Sequence, residues 1–362
     1  MDTGQNASGN PSENAGKDPG KDPSQDAGKD PWESAGKDPW ESGPAYERYM
    51  GRWSRLAAAR FTEWLDPAEG LRWLDVGCGT GALSAAVADR CRPRVLLGLE
   101  LSEPFVRAAR ATAGAPAAGG GTTGESTAGD LAAASFAAGE SAAQETTAGE
   151  SAAQETTAGE SADPETTAGG STAGGSTARG AFVVADATAL PVRDAAWDAA
   201  VCGLTLNFLP DPAAGAAELV RAVRPGGGTV AAYVWDYADG MGFLRHFWDA
   251  VATVDPAAAV ALDEGRRFGT LCRPERLHSL WTEAGLAGVT TVPIDVPTVF
   301  TDFADLWDPF LTGQGPAPGY VASLTPGDRD RVRTALAEAV PREPDGSVEL
   351  TARAWAVKGV RR

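Results

Sequence analysis

The sequence predicts an α/β fold: a doubly wound sheet, mostly parallel with an antiparallel last strand, carrying a disordered tail and a disordered insert. Three observations predict it. Short apolar runs alternate with helical patterns along most of the chain. The first of those runs ends in a turn with three glycines, Asp75-Val76-Gly77-Cys78-Gly79-Thr80-Gly81. Two long stretches have compositions that cannot build a core.

Those two stretches bound the domain. Residues 1–44 repeat Ala-Gly-Lys-Asp-Pro and offer almost nothing apolar beyond Trp32 and Trp40. Residues 112–180 are rich in Ala, Gly, Thr, Ser and Glu, and Ala142 to Ser151 recurs unchanged as Ala152 to Ser161. Neither repeat has a recurring bulky position, so neither is a solenoid unit, and burial cannot offset the entropy of ordering them. The expected organisation is a tail over 1–44 and one domain over 45–362, interrupted by the insert at 112–180. The acidity sits mostly in the tail and insert. They carry −5 and −8 of a formal charge of −18, leaving −5 for the domain. A mildly acidic domain has no electrostatic footprint for nucleic acid.

The elements follow in order. Leu71 to Val76 is a buried strand. Ala82 to Arg90 is a helix with Leu83, Val87 and Cys91 on one side. Arg94 to Glu100 is strand two, and a helix opens at Ser102 with Pro104 in its first turn. After the insert, Ala181 to Ala185 is strand three and Trp197 to Gly203 is strand four. Asp211-Pro212 starts a helix that Pro225-Gly226-Gly227-Gly228 ends, and Thr229 to Trp235 is strand five. Beyond it, helices are expected over 241–254, 273–284, 300–311 and 328–339. Strands are expected over 289–296 and 348–357, the latter antiparallel.

In such a sheet a ligand binds beyond the carboxyl ends of the strands. The glycine turn lies at one such end, and Glu100, Asp186, Gly203 and Asp236 lie at others. Glycines there let backbone lie against a ligand that meets the following helix N-terminus. The turn with Glu100, 19 residues after Gly81, fits a nucleotide-type cofactor. Taken alone it does not separate NAD from S-adenosylmethionine, since an acid after strand two suits either ribose.

Further motifs carry a resemblance. Ala185-Asp186-Ala187-x-x-Leu190-Pro191, Trp197-Asp198 and Leu219-x-Arg221-x-Val223-Arg224-Pro225-Gly226-Gly227, with the glycine turn, resemble class I S-adenosylmethionine-dependent methyltransferases. The similarity is to the small-molecule branch with the "type 11" domain and the ubiquinone/menaquinone C-methyltransferases. It covers residues 45–111 and 181–236. Tyr46-x-x-Tyr49-Met50-Gly51-Arg52-Trp53 and Trp235-Asp236-Tyr237 resemble a bacterial subgroup. The resemblance implies a Rossmann-like methyltransferase sheet and S-adenosyl-L-methionine as cofactor. It implies that Asp75 orients the turn and the methionine amino group, and that Gly77, Cys78, Gly79 and Gly81 lie against the cofactor. Glu100, with Leu101 beside it, takes the ribose. Asp186 and the Ala187 N–H take the adenine. Cys202 and Gly203 line the methionine end, beneath a lid carrying Tyr46 and Arg52. For Arg52 an ordinary ion pair is the alternative.

Methyl transfer from a sulfonium is an in-line displacement in which positioning supplies most of the catalysis. A base is required only for a protonated acceptor, and Asp236, Tyr237 and His246 are the candidates. The expected reaction moves a methyl group to C or O of a small organic acceptor. The strand-four end, Cys202-Gly203-Leu204-Thr205, lacks the Asp/Asn-Pro-Pro-aromatic turn of enzymes that methylate nucleic-acid amines. An NAD(P)-dependent oxidoreductase and a non-catalytic cofactor-binding module are the rivals. The four cysteines lie far apart, which suggests neither disulfides nor a metal site. With no signal-peptide pattern and no apolar run of spanning length, a cytoplasmic protein is expected.

Overall fold

The structure is a computed structural model and describes residues 43–114, 180–313 and 315–362. The expected tail and insert lie outside the described residues except at their margins. There, Gly43–Tyr46 is helical and the helix Glu103–Gly114 runs three residues past the expected start of the insert.

Seven strands form one sheet: β1 Arg72–Val76, β2 Val95–Glu100, β3 Ala181–Val184, β4 Ala199–Gly203, β5 Thr229–Trp235, β6 Leu286–Phe300 and β7 Val348–Arg361. Their order is β3-β2-β1-β4-β5-β7-β6. β1 to β5 are parallel, and β7 runs antiparallel between β5 and β6. From β1 the chain winds outward to β2 and β3, then returns to β4 on the other side. The switch point therefore lies between β1 and β4, where ligands bind in such sheets.

The central strands read as continuous apolar runs because helices cover both faces. Leu74, Val76, Ala200, Val201, Val230 and Val234 are wholly buried. The helix Ala82–Cys91 buries Leu83, Val87 and Cys91, as its spacing predicts. The helix Pro212–Ala222 has the expected cap: Asp211 accepts from the Ala213 and Ala214 N–H groups at 3.0 Å, with Pro212 at the first position.

The end of the sheet opposite the glycine turn is fastened by Asp198. Its carboxylate accepts from the Arg72 backbone N–H at 2.9 Å, from the Arg72 guanidinium at 3.1 Å and from Arg224 at 3.1 Å. Burial alone would raise the Asp198 carboxyl, but these bonds hold it down at about 2. The cluster joins β1, the start of β4 and the connection into β5.

Several boundaries depart from the sequence reading. β6 spans 286–300 instead of 289–296, with a bulge between Ala287 and Thr290. Pro293 and Pro297 do not break it, because β6 is the outermost strand and one of its sides needs no ladder donors. The helix expected over 300–311 is three pieces: the end of β6, the helix Phe303–Trp307 capped by Asp302, and a 3₁₀ turn Asp308–Leu311. Pro309 in the first turn after 307 accounts for the tightening. Short helices Pro256–Leu262, Glu264–Phe268 and Pro316–Ser323 lie among these pieces.

Candidate cofactor and acceptor site

The glycine turn has the geometry that its sequence demands. Gly77, Gly79 and Gly81 have φ of +70°, +54° and +91°, a region that side chains disfavour. Each has a different reason to lack a side chain. A Cβ at Gly77 would lie 2.3 Å from Thr205 Cγ2, and one at Gly81 would press on Ala109 at 3.3 Å. A Cβ at Gly79 would meet nothing within 4 Å, so the space above that residue is open. The turn is held from below, where the Gly77 and Cys78 N–H groups donate to Leu99 O at 2.7 and 3.0 Å. The Cys78 side chain points inward and packs with Val106, Ala109 and Phe182.

Asp75 lies wholly buried under this turn. Ser84 Oγ donates to its Oδ2 at 2.6 Å, while Oδ1 has no hydrogen-bond partner among the described residues. Burial pushes the Asp75 carboxyl up to about 7, and the nearby Glu100 charge adds to the shift. Glu100 stands at the end of β2. Its Oε2 accepts from the Gly79 N–H at 3.1 Å and its Oε1 from the Ser102 N–H at 2.9 Å. These two bonds fix the orientation of the carboxylate at the end of β2. Leu101, 70 % exposed, follows it at the surface.

Asp186 is exposed at the end of β3 and closes a turn. The Thr188 N–H and Oγ both donate to its Oδ1 at 2.8 Å, and these bonds lower its carboxyl. Ala187 is buried beside it. At the end of β4, Cys202 is wholly buried and burial pushes its thiol up to about 12, which makes it a packing residue. Gly203 is required, since a Cβ there would lie 2.9 Å from Leu83 and Tyr233. The next residue, Leu204, has φ +61°, a strained conformation for a leucine. Thr205 then donates to Gly77 O at 2.8 Å, tying the β4 end to the glycine turn. The sequence reading did not single out Thr205.

The segment before β1 covers this edge of the sheet. A π-helical turn, Glu47–Gly51, leads into the helix Arg52–Leu65. Glu47 accepts from Thr80 Oγ in the glycine turn at 2.5 Å and pairs with Arg55. The Tyr46 hydroxyl shares a hydrogen bond with Ser54 at 2.9 Å, and its ring lies against Phe105. Arg52 pairs with Asp305 at 3.2 Å and lies over the Trp53 and Phe300 rings.

The three candidate bases fare differently. Asp236 is buried and closes a turn, accepting from the Asp239 N–H at 3.2 Å. His246 is half-buried on the helix Gly242–Val254 and has no hydrogen-bond partner among the described residues. Tyr237 faces a closed cleft with Tyr49, Met50, Phe208, Leu244 and Glu264. Glu264 escaped the sequence reading. Asp263-Glu264-Gly265-Arg266-Arg267 looks like a solvated charged run, yet Glu264 is only 2 % exposed. Asn207, after β4, was also missed. Both polar atoms of its buried side chain lack partners among the described residues, and it borders a second cleft of about 340 Å³ with Arg267 and Arg276.

Comparison with known proteins bears on this site. Residues 139–231 match the family model of a methyltransferase domain. The match takes in β3, β4 and the start of β5, and the glycine turn lies outside it. Nocamycin O-methyltransferase of Saccharothrix syringae is 42% identical over 60 residues, 16% of this chain. The chain spans about a fifth (21%) of the length of that relative. Among solved structures, the YcgJ protein of Bacillus subtilis is 11% identical with a TM-score of 0.44, over 85% of this chain and 98% of that one. A putative methyltransferase of Bacillus halodurans is 12% identical with a TM-score of 0.43, over 84% and 98%. The sheet order is that of a doubly wound, Rossmann-like fold, and residues 139–231 of the chain are similar to methyltransferase domains. The cofactor of that class is S-adenosylmethionine.

Proposed function

We propose that this protein transfers the methyl group of S-adenosylmethionine to a carbon or oxygen atom of a small organic acceptor. One observation carries the reading. The buried Asp75 Oδ1, an acceptor with no partner, lies beneath three positive-φ glycines beside the oriented Glu100 carboxylate. Leaving such a buried acceptor unpaired costs about 1–3 kcal/mol. A ligand with an ammonium group near the turn would pair the Asp75 oxygen, and its ribose diol would lie near Glu100.

The cofactor supplies an electrophilic methyl on a sulfonium. The chain's residues position it. Asp75 directs the turn and the amino group. Gly77, Cys78, Gly79 and Gly81 present backbone. Glu100 accepts from the ribose hydroxyls, with Leu101 over the ring. Asp186 and the Ala187 N–H take the adenine edge, and Cys202 and Gly203 border the methionine end. Tyr46 and the π-helical turn exclude water from above. In this reading residues 45–362 form one catalytic domain in the cytoplasm, with 1–44 as tail and 112–180 as insert. The mildly acidic domain favours a small acceptor over nucleic acid. Among the described residues no helix is long and apolar enough to cross a membrane.

The test is calorimetric titration of the full chain with S-adenosylhomocysteine and, separately, NADH. Binding of the first that weakens at least tenfold in Glu100→Ala, with no heat from NADH, is expected. NADH binding alone overturns the reading.

A further inference from the structure

The cleft under the lid holds ionisable groups that cofactor binding does not use. Glu264 begins a short helix whose cap, Asp263, accepts from the Gly265 N–H at 2.8 Å and pairs with Arg245. The Glu264 side chain is turned away from solvent, into the space between the helix Gly242–Val254 and the start of the helix Pro316–Ser323. Its Oε2 accepts from Trp248 Nε1, and its Oε1 from the Ala317 N–H at 3.3 Å. Both bonds come from neutral donors, while the two terminal nitrogens of the Arg245 guanidinium pair with Asp263. Burial pushes the Glu264 carboxyl up to about 7.

Across the cleft stands Tyr49. Its hydroxyl is buried and has no hydrogen-bond partner among the described residues. Burial raises the Tyr49 phenol, and the Glu264 charge is the next largest cause. The Tyr237 phenol is raised likewise, by burial, then by Glu264, with smaller effects from Cys272 and Tyr46. Tyr46 in turn senses Glu100. The walls are the rings of Tyr49, Phe208 and Tyr237, with Met50, Leu244 and Pro316. The enclosed volume is about 10 Å³, the space of one water at most. Tyr49 and Met50 on one side and Pro316 on the other close the cleft, so the proposal below requires them to part to admit an acceptor.

We propose that this cleft is the acceptor subsite, that it takes a planar hydroxylated acceptor of the phenol or enol class, and that Glu264 accepts the hydroxyl proton while Tyr49 donates to the same oxygen. The inference rests on the methyl-transfer reading and names its acceptor. The aromatic walls suit a planar ring. The pairing of one acceptor-only group with one uncommitted donor suits an oxygen that loses a proton and gains negative charge. In the reaction, a bond forms between that oxygen and the methyl carbon as the carbon–sulfur bond breaks. The electron pair of the broken bond stays on sulfur, and the hydroxyl proton ends on the Glu264 carboxylate. Charge and atoms balance: a cationic sulfonium and a carboxylate give a neutral thioether and a carboxylic acid.

The probe is 4-nitrophenol, whose ionised form absorbs at longer wavelength than its neutral form. S-adenosylhomocysteine is titrated first, into wild type and each variant. Failure at that step removes the methyl-transfer reading itself. With the homocysteine product bound, wild type is expected to bind 4-nitrophenol and shift its spectrum toward the ionised form. Glu264→Gln is expected to weaken that binding about tenfold, the loss of one charged hydrogen bond, and to abolish the shift. Because Glu264→Gln disturbs the Trp248 and Ala317 bonds, Tyr49→Phe is the second variant. It breaks no hydrogen bond among the described residues and is expected to diminish the shift at unchanged homocysteine-product affinity. The proposal is overturned if wild type ignores 4-nitrophenol, if Tyr49→Phe or a folded Glu264→Gln behaves as wild type, or if the cleft instead holds benzylamine through Glu264.

Discussion

Asp75→Asn is expected to stabilise the ligand-free protein above neutral pH while impairing its site. The Asp75 carboxyl titrates at about 7 when folded, against 3.8 for an ordinary aspartate. A folded-state value raised above the unfolded one means that the contribution to stability is whole below pH 3.8. It is lost as pH rises through 7, because the folded state then must hold a charge that the unfolded state holds in water. Three pKa units at 1.36 kcal/mol each give about 4 kcal/mol between pH 4 and 8. Asparagine keeps the shape and an oxygen to accept from Ser84, and it carries no charge. Urea denaturation at pH 4, 6 and 8, without cofactor, is the assay. The variant is expected to overtake wild type as pH rises, by about 4 kcal/mol at most, since relaxation and water entry shrink the difference. Glu264, raised for the same reason, adds a slope of the same sign to both proteins, so the difference between the curves isolates Asp75. Parallel curves for wild type and variant would refute the burial argument.

Two further outcomes follow from the geometry. Gly77→Ala places a methyl where φ is +70° and where Thr205 already stands. A cost of about 1–2 kcal/mol for the left-handed backbone, with displacement of Thr205, is expected as a lowered melting temperature and a weaker S-adenosylhomocysteine titration. Asp198→Ala removes the acceptor shared by Arg72 and Arg224 and is expected to cost about 3 kcal/mol in urea denaturation. In wild type that contribution is present above pH 3.8 and fades as pH falls toward 2, the reverse of Asp75.

The sheet was legible where local chemistry decides it. Glycines at alternate positions after an apolar run, an acid at the end of the next run and a proline after Asp211 each act within a few residues. The far edge was less so. Pro293 and Pro297 argue against a strand until the position of that strand in the sheet is known, and position is a property of the whole topology. Arg52 was readable only as two alternatives, because Asp305 lies 253 positions away. Glu264 was hidden for the same reason. Its neighbours in sequence are charged, while its neighbours in space are Trp248, Tyr49 and Ala317. Thr205 carries no motif and matters only because β4 ends beside β1.

The two outer strands have a consequence for how this protein meets others. β3 is four residues long, and β6, though fifteen, presents Pro293 and Pro297. One margin is too short to template another strand and the other lacks donors at two points, so neither propagates by backbone pairing. Growth into an extended cross-chain sheet is disfavoured from either side. Recognition of another chain is thereby shifted from backbone pairing at these two edges toward side chains, whose composition can discriminate between partners in a way that a bare row of amides cannot.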